Sequence, residues 1–398
     1  MTNQPRPVII VTGDFVRTGG MDRANFALAE FLADHPAQAS HVHLVAHRID
    51  DKLYDHPRVS FYPVPKPLGS YWLAGTLLDH SAQKLAGKIP DARLIVNGGN
   101  CLSPHVSANW VHYVHAAWNP SQFAETSRPS LARRLKNSLA RREFLRHERQ
   151  AFKLAPLLIA NSHLTARHLV DYYQVPESKI KVVYYGTDAT IFKQITPLER
   201  KTARASLNIP DNRPTAIFVG SLGDARKGFD LLFQAWAGLI AQRPDIRPLL
   251  LVVGAGAALD EYRRQAAHFV ESDAIRFLGF RTDVPALLAA ADLLISPARY
   301  EAYGLNVHEA LCRGLPVLVS RSAGVAERIS LPDSACQDLF TLPESQSTDL
   351  FTAALVRWIA DPLPYQTVAA RLGDALRKQQ WADQMGLLMA YSDTWNSL

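Results

Sequence analysis

The segment Leu293-Leu-Ile-Ser296-Pro-Ala-Arg-Tyr-Glu301-Ala-Tyr303-Gly304-Leu305-Asn306-Val-His-Glu309-Ala-Leu-Cys-Arg-Gly314 reads as a strand, a loop and a helix in that order. Its apolar run has the length of a strand and ends at Ser296, before a proline. A helix is expected to begin near Leu305 and to stop at Gly314, a natural residue just past a helix end. In open α/β sheets, ligands gather outside the carboxyl ends of strands, which puts Glu301 on the ligand-facing edge. Glu309 falls about one turn into the helix, where a carboxylate can accept hydrogen bonds from vicinal hydroxyls. Gly304 permits close approach of a ligand to the backbone. The N–H groups of Leu305, Asn306 and Val307 make an anion site at the helix start. The plainer reading is a solvated loop acid at Glu301 and a dipole-favoured acid at Glu309.

The same rhythm runs outward in both directions. Strand-like runs at Thr215–Val219, Leu249–Val253, Ile275–Leu278 and Pro316–Ser320 alternate with helical patterns such as Leu231–Gln242 and Asp260–Glu271. Earlier in the chain, Val8–Thr12, His41–Ala46, Leu94–Asn97, Trp110–His115 and Leu157–Ala160 follow the same plan, with a helix over Ala24–Ala33. Such βαβα alternation predicts an α/β fold with parallel sheets covered on both faces. The restart after residue 212 predicts two doubly wound sheets joined through 186–212, a stretch carrying Gly186, Pro197 and Pro210. The expected division is residues 1–190, completed by a C-terminal helix over 380–398, and residues 191–379.

Length and composition agree with this division. The chain has 398 residues, too many for one ordinary domain. Its 47% hydrophobic and 20% charged residues suit globular domains with real cores. No apolar run reaches the roughly 18–20 residues needed to span a bilayer, and the first residues carry no signal-peptide pattern. The three cysteines Cys101, Cys312 and Cys336 are widely spaced, which argues against a disulfide framework or a zinc site and fits a reducing cytoplasm. The net charge of +6 suits an anionic partner without choosing among nucleotide, acidic membrane and nucleic acid.

Four further segments carry candidate chemistry. Ile217–Asp230 is a strand, a polar loop and the basic pair Arg226-Lys227 before a helix; a fork and a mobile point charge suit a diphosphate. A solvated charge pair is the commoner fate of such a dipeptide. Gly13–Gly20 is a glycine loop entering a helix, in which Gly19 and Gly20 let a ligand lie close to the backbone or simply make a turn. In Trp110–Trp118, alternation puts His115 at a strand end within reach of a substrate, although a lone histidine is more often structural. The stretch from Leu131 to Lys153 holds eight Arg and Lys against Glu143 and Glu148. It reads as a cationic helix, either a solvated face or a contact with an anionic membrane. Nucleic acid is not expected, because no aromatic platform accompanies it. Gly254-Ala-Gly256 lacks the third glycine of a dinucleotide fingerprint, and no acid closes the next strand, so NAD is not expected.

Taken together, these segments resemble glycosyltransferase family 4, whose signature is Glu, an aromatic-Gly pair and a second Glu eight positions on: here Glu301, Tyr303-Gly304 and Glu309. The resemblance extends through Gly19-Gly20, Ala160-Asn161-Ser162, Tyr185-Gly186-Thr187-Asp188, Phe277-Leu-Gly279-Phe280 and Gly324–Glu327. It implies the GT-B architecture, two Rossmann-like domains facing a central cleft. It also implies a retaining transfer of a hexose from a nucleotide-sugar, UDP-glucose in type, to a hydroxyl of a cell-surface glycan, a lipid-linked acceptor or a small molecule, with no metal or other cofactor. Arg226 and Lys227 would then hold the diphosphate, and Glu301 with the backbone N–H groups of Gly304, Leu305 and Asn306 the sugar and β-phosphate, with Tyr303 a further donor-binding residue. Glu309 would meet the ribose, Arg281 the base by its backbone, and Gly19-Gly20 the donor. His115 matches the family's histidine beneath the donor sugar. Acceptor loops would fall in Tyr62–Thr76 and Trp118–Leu131. Most of the family has Gly-Arg-Leu after the strand; this chain has Gly220-Ser221-Leu222 and Arg226-Lys227-Gly228, as in a subset of lipopolysaccharide-core glucosyltransferases. The implied location is cytoplasmic, with peripheral contact at the inner face of the plasma membrane. Two competing readings are a non-catalytic nucleotide-sugar binding protein and a nucleotide-sugar epimerase on the same fold.

Overall fold

In the computed structural model, the described residues are 4–67, 71–120, 131–269, 273–329, 340–342 and 347–395. They form two compact units. One contains Met1–Asn119, Pro129–Gly186 and Trp381–Leu398; the other contains Thr187–Gln380.

The first unit holds a seven-stranded sheet. Its strands are β1 (Val8–Val11), β2 (Val42–Ala46), β3 (Val59–Pro63), β4 (Arg93–Val96), β5 (Val106–Val111), β6 (Leu158–Ala160) and β7 (Ile180–Val182). They lie in the order β3-β2-β1-β4-β5-β6-β7 with parallel pairing. Every residue of β1 is buried because helices cover both faces, which is why the strand reads as an unbroken apolar run. Ile9, Val11, Leu94 and Val96 meet Leu78 and Ala82 of the Tyr71–Lys88 helix in one core; Val111 and Leu158 meet Phe152 and Leu169 in a second. The final helix, Trp381–Trp395, packs here too: the Trp381 ring lies 5.6 Å from that of Tyr185.

The second unit holds a six-stranded sheet of β8 (Thr215–Val219), β9 (Leu249–Val253), β10 (Ile275–Gly279), β11 (Leu293–Ser296), β12 (Val317–Ser320) and β13 (Thr341–Leu342). Its order is β10-β9-β8-β11-β12-β13, again parallel. The helix entering this unit, Pro197–Ser206, has a reciprocal cap, in which Thr196 accepts from the Glu199 N–H and the Glu199 carboxylate accepts from the Thr196 N–H. The helix over Phe229–Gln242 buries Trp236, whose Nε1–H donates to the Ala274 carbonyl at 3.1 Å.

Among the described residues, five strands were not marked in the sequence: β3, β7, β13 and a separate parallel pair of two-residue strands, Asp14–Phe15 and Arg48–Ile49. β7 and β13 are short, and β3, though as long as β8, is like β7 a half-exposed edge, so no buried apolar run signals them. The strand expected to carry His115 is also corrected: β5 spans Val106–Val111, and His115 opens a separate 3₁₀ turn, His115–Ala117. The expected acceptor loops Tyr62–Thr76 and Trp118–Leu131 fall partly outside the described residues, as does Cys336.

Burial depresses four histidines of the first unit: His112 to about 3, His43 and His168 to about 4, and His41 in the same direction. Their folded values lie below the unfolded one, so between about pH 6.5 and pH 4 the unfolded chain binds protons that the folded chain does not. Stability therefore falls as pH falls through that window. Asp22, raised to about 6 by burial and by Asp14, opposes this with a single group. The urea midpoint should be lower at pH 5 than at pH 7. His112→Gln should narrow that difference; an undiminished difference in the variant would show that His112 contributes nothing to it.

Candidate active site

Parallel pairing of β8 with β11 aligns Ala216 with Leu293 and Ile217 with Leu294. The loops that follow these two strands, residues 220–228 and 297–304, therefore emerge side by side at one sheet edge. There the Lys227 ammonium hydrogen-bonds Glu301, a partner 74 positions away in sequence. Both side chains are partly exposed, so the pair contributes about 1 kcal/mol or less and exchanges readily for another anion or cation.

Arg299 locks the two loops together. Its guanidinium donates to the Ala225 carbonyl at 2.9 Å and grips Asp230 at 2.7 and 2.6 Å. Its own N–H donates to the Arg226 carbonyl at 2.7 Å. No sequence reading singled out this residue; its burial and its partners come from the fold. Arg226 is held by Asp224 through Nε at 3.0 Å and Nη2 at 2.6 Å. Burial works to raise the Asp224 carboxyl, but the hydrogen bonds and charge of Arg226 outweigh it and leave the group below its ordinary value. Each member of the predicted basic pair thus has a carboxylate partner.

The loop from Glu301 to Gly304 is stitched to the turn after β12. Glu301 N–H donates to the Ser322 carbonyl, Gly324 N–H to the Glu301 carbonyl, and Val325 N–H to the Tyr303 carbonyl, at 3.2, 2.9 and 2.7 Å. Gly304 then opens the Leu305–Cys312 helix with φ of 105°, a left-handed conformation that glycine alone adopts cheaply. The first N–H groups of a helix have no partner within it, so those of Leu305 and Asn306 point toward the same edge. The Asn306 amide donates to the Val219 carbonyl at 3.0 Å, tying the helix start to the end of β8. Glu309 lies largely buried in the next turn.

The side chains of two expected contact residues are engaged within the second unit. Tyr303 is 1% exposed, and its hydroxyl is committed to His308 Nδ1 at 2.8 Å; it shapes the loop and presents its backbone, not its ring. Arg281, at the exposed end of β10, pairs with Asp283 at 2.7 and 2.5 Å. The Gly254 and Gly256 pair has a packing role. A Cβ at either would stand 1.9 and 1.8 Å from the Gly220 and Leu222 carbonyl oxygens, so they let the loop after β9 press on the loop after β8.

In the first unit, Gly19 (φ 83°) and Gly20 open the Gly20–Asp34 helix, both exposed. His115 lies on its 3₁₀ turn against the helix over Leu131–Leu154. Its Nδ1 donates to Glu148 at 2.6 Å, and its ring stacks on Phe144 with centroids 4.9 Å apart. The basic helix, read in the sequence only as a charged surface, thus turns one of its few acids inward.

A chain with two parallel, doubly wound sheets and a Glu-x₇-Glu loop and helix at the carboxyl edge of the second has the GT-B class of fold. Comparison with known proteins places it more closely. Residues 18–190 match the model of glycosyltransferase family 4, and residues 199–373 that of the glycosyl transferases group 1. The two glycosyltransferase models follow one another along the chain and identify it as a glycosyltransferase. A D-inositol 3-phosphate glycosyltransferase of Nocardioides sp. is 31% identical over 193 residues, 45% of this chain and 41% of that protein. One from Corynebacterium aurimucosum is 30% identical over 184 residues, 45% and 44% of the two chains. The matches thus span less than half the length of these curated relatives. Among solved structures, WaaG, a glycosyltransferase involved in lipopolysaccharide biosynthesis, superposes with a TM-score of 0.74 at 20% identity, covering 96% of this chain and 98% of its own. HepE of Anabaena, solved with UDP and glucose, superposes with a TM-score of 0.68 at 17% identity, covering 99% and 100%. At these identities the likeness is one of fold.

Arg299→Ala should loosen the 225–228 loop while leaving the sheet intact. Hydrogen exchange followed by mass spectrometry should quicken at Arg226 and Lys227 and stay slow across Thr215–Val219. Unchanged exchange in the loop would remove Arg299 as its anchor.

Proposed function

We propose that the protein transfers a hexose from a nucleoside-diphosphate sugar, UDP-glucose in type, to a hydroxyl of a glycan, lipid-linked or small-molecule acceptor, with retention of configuration and no metal ion. The observation that carries this reading is the meeting of Lys227, Glu301 and the Gly304–Asn306 helix start at one sheet edge. The donor reading is also supported by the solved complexes of HepE with UDP and with UDP-glucose.

As the glycosidic bond breaks, negative charge gathers on the departing diphosphate. A preorganised ammonium and oriented N–H groups stabilise that charge at little reorganisation cost. Lys227 and the helix start take this role, with Arg226 as a second cation once its hold on Asp224 is exchanged for phosphate. Glu301 accepts hydrogen bonds from the sugar hydroxyls, Glu309 from the ribose, and the backbone around Arg281 meets the base. A departing phosphate oxygen takes the acceptor's proton on the face it leaves, which retains the anomeric configuration. In the first unit, Gly19 and Gly20 let the donor lie close to the backbone, and His115 serves the donor sugar.

The first unit also carries a cavity of about 440 Å³ whose lining includes Asp14, Arg48, Pro63, Pro65 and Lys66. Its rim carries Lys66 and the Arg48–Asp14 ion pair beside the two prolines, a polar and apolar mix that suits a glycan acceptor. A cell-surface glycan acceptor gains support from the fold shared with WaaG, which is involved in lipopolysaccharide biosynthesis.

Calorimetric titration with UDP should give a dissociation constant that Lys227→Ala weakens about tenfold to a hundredfold, the worth of a hydrogen bond to a charged group. Unchanged affinity would end the diphosphate role. UDP-glucose turnover should continue in EDTA. Binding without release of UDP to any acceptor or to water would mark a non-catalytic binding protein instead.

No helix of the described residues is long and apolar enough to cross a membrane. The Leu131–Leu154 helix exposes Lys136, Arg142, Arg146, Arg149 and Lys153 together with Leu139 and Leu154. Our reading includes a peripheral contact of this face with anionic lipid, in the cytoplasm at the inner leaflet. The protein should sediment with vesicles containing phosphatidylglycerol, and about 0.5 M salt should release it, given the short screening length there. Equal sedimentation with purely zwitterionic vesicles would overturn the charge-driven contact.

A further inference from the structure

Glu148 lies 33 positions from His115 in sequence and is 2% exposed. Three donors converge on its carboxylate. The His115 ring donates from Nδ1 at 2.6 Å, and the His115 backbone N–H donates at 3.0 Å. The Tyr173 hydroxyl donates at 2.5 Å. Burial, and the Glu148 carboxylate beside it, push the Tyr173 phenol well above its ordinary range, so it remains a donor. Phe144 stacks on the imidazole, and Tyr113 meets it edge-on at 4.7 Å. The ring is thus clamped on one face, at one edge and at Nδ1, while 37% of the side chain stays exposed.

This arrangement has a chemical consequence. A carboxylate that accepts from Nδ1–H fixes the tautomer of a neutral imidazole, leaving the lone pair on Nε2. We propose that Glu148 is the positioning residue for His115, holding it with Nε2 as the acting nitrogen, and that Tyr173 holds Glu148 in turn. The proposal rests on the reading of His115 as a group that acts at the donor sugar. It assigns a task to the inward side of the basic helix: Glu148 faces His115, while Arg142, Arg146 and Arg149 of the same helix face solvent. Glu148 acts through His115 and touches no substrate itself.

The test uses the full chain labelled with ¹⁵N-histidine. Long-range ¹H–¹⁵N spectra at about pH 8, assigned by the signal missing in His115→Ala, should show His115 protonated at Nδ1 and bare at Nε2. Glu148→Gln should convert it to a mixture of tautomers. A wild-type ring protonated at Nε2 and bare at Nδ1 would overturn the proposal without any assay of activity. In UDP-glucose turnover, Glu148→Gln should lower kcat on the order of tenfold to a hundredfold, within the range of acid–base contributions, and leave the donor KM within about twofold. In a His115→Ala background the same change should cost nothing further, because the two residues act as one unit. Full turnover of His115→Ala would remove the reading of His115 itself. Loss there with full turnover in Glu148→Gln would remove only the present inference. Thermal unfolding separates a folding failure from either outcome. Should Glu148→Gln not fold, Tyr173→Phe should lower kcat several-fold at unchanged KM, and full turnover in that variant would overturn the proposal equally.

Discussion

Parallel pairing of Thr215–Val219 with Leu293–Ser296 is the constraint on which the candidate donor site depends. Parallel strands point their carboxyl ends the same way, so two loops whose paired charges lie 74 positions apart in sequence must emerge together. The Lys227–Glu301 pair, the Arg299 clamp and the Asn306 tie to Val219 all follow from that adjacency. An antiparallel arrangement of the same strands would send the basic pair and the acid to opposite edges, and no local feature of either loop would rescue the site.

The site combines firm and exchangeable parts. Backbone hydrogen bonds from the 301–304 loop to the 322–325 turn, and the buried side chain of Arg299, fix the positions of the two loops. The charged groups they carry are partly exposed and paired with neighbouring carboxylates, Lys227 with Glu301 and Arg226 with Asp224. Such pairs are worth little and can be re-formed with a phosphate at small cost. A rigid frame bearing replaceable ion pairs agrees with the proposed binding and release of a highly charged donor.

The first unit uses the same sheet plan differently. Its polar interior is a buried network in which Tyr185 joins His112 at 2.6 Å and Asn161 at 3.2 Å, with His112 kept neutral by burial. His115, three residues on, has the opposite setting: a half-exposed ring beside a buried carboxylate. Two histidines in one short segment therefore differ in kind, one a buried structural element of the interior and the other a partly exposed ring held at Nδ1.

Much of the fold was legible in the chain by itself. Thr215–Val219, Leu249–Val253 and Leu293–Ser296 announce themselves because strands buried on both faces must be apolar throughout. Gly304 and Gly314 mark the two ends of the Leu305–Cys312 helix because backbone conformation there excludes other residues at low cost. The edge strands Val59–Pro63 and Ile180–Val182 left no such mark, since half their surface faces solvent. The inventory of the site, with Glu301, Glu309, Arg226 and Lys227 on strand-end loops and a helix start, also lay in the residue pattern. Its pairing did not. That Arg226 is held by Asp224, that Arg299 binds the loops, that Tyr303 turns inward and that Glu148 leaves a cationic helix face to hold His115 were decided by tertiary structure. Periodicity reports which face of an element is buried, whereas a contact between residues 33 or 74 positions apart depends on which elements are packed against one another.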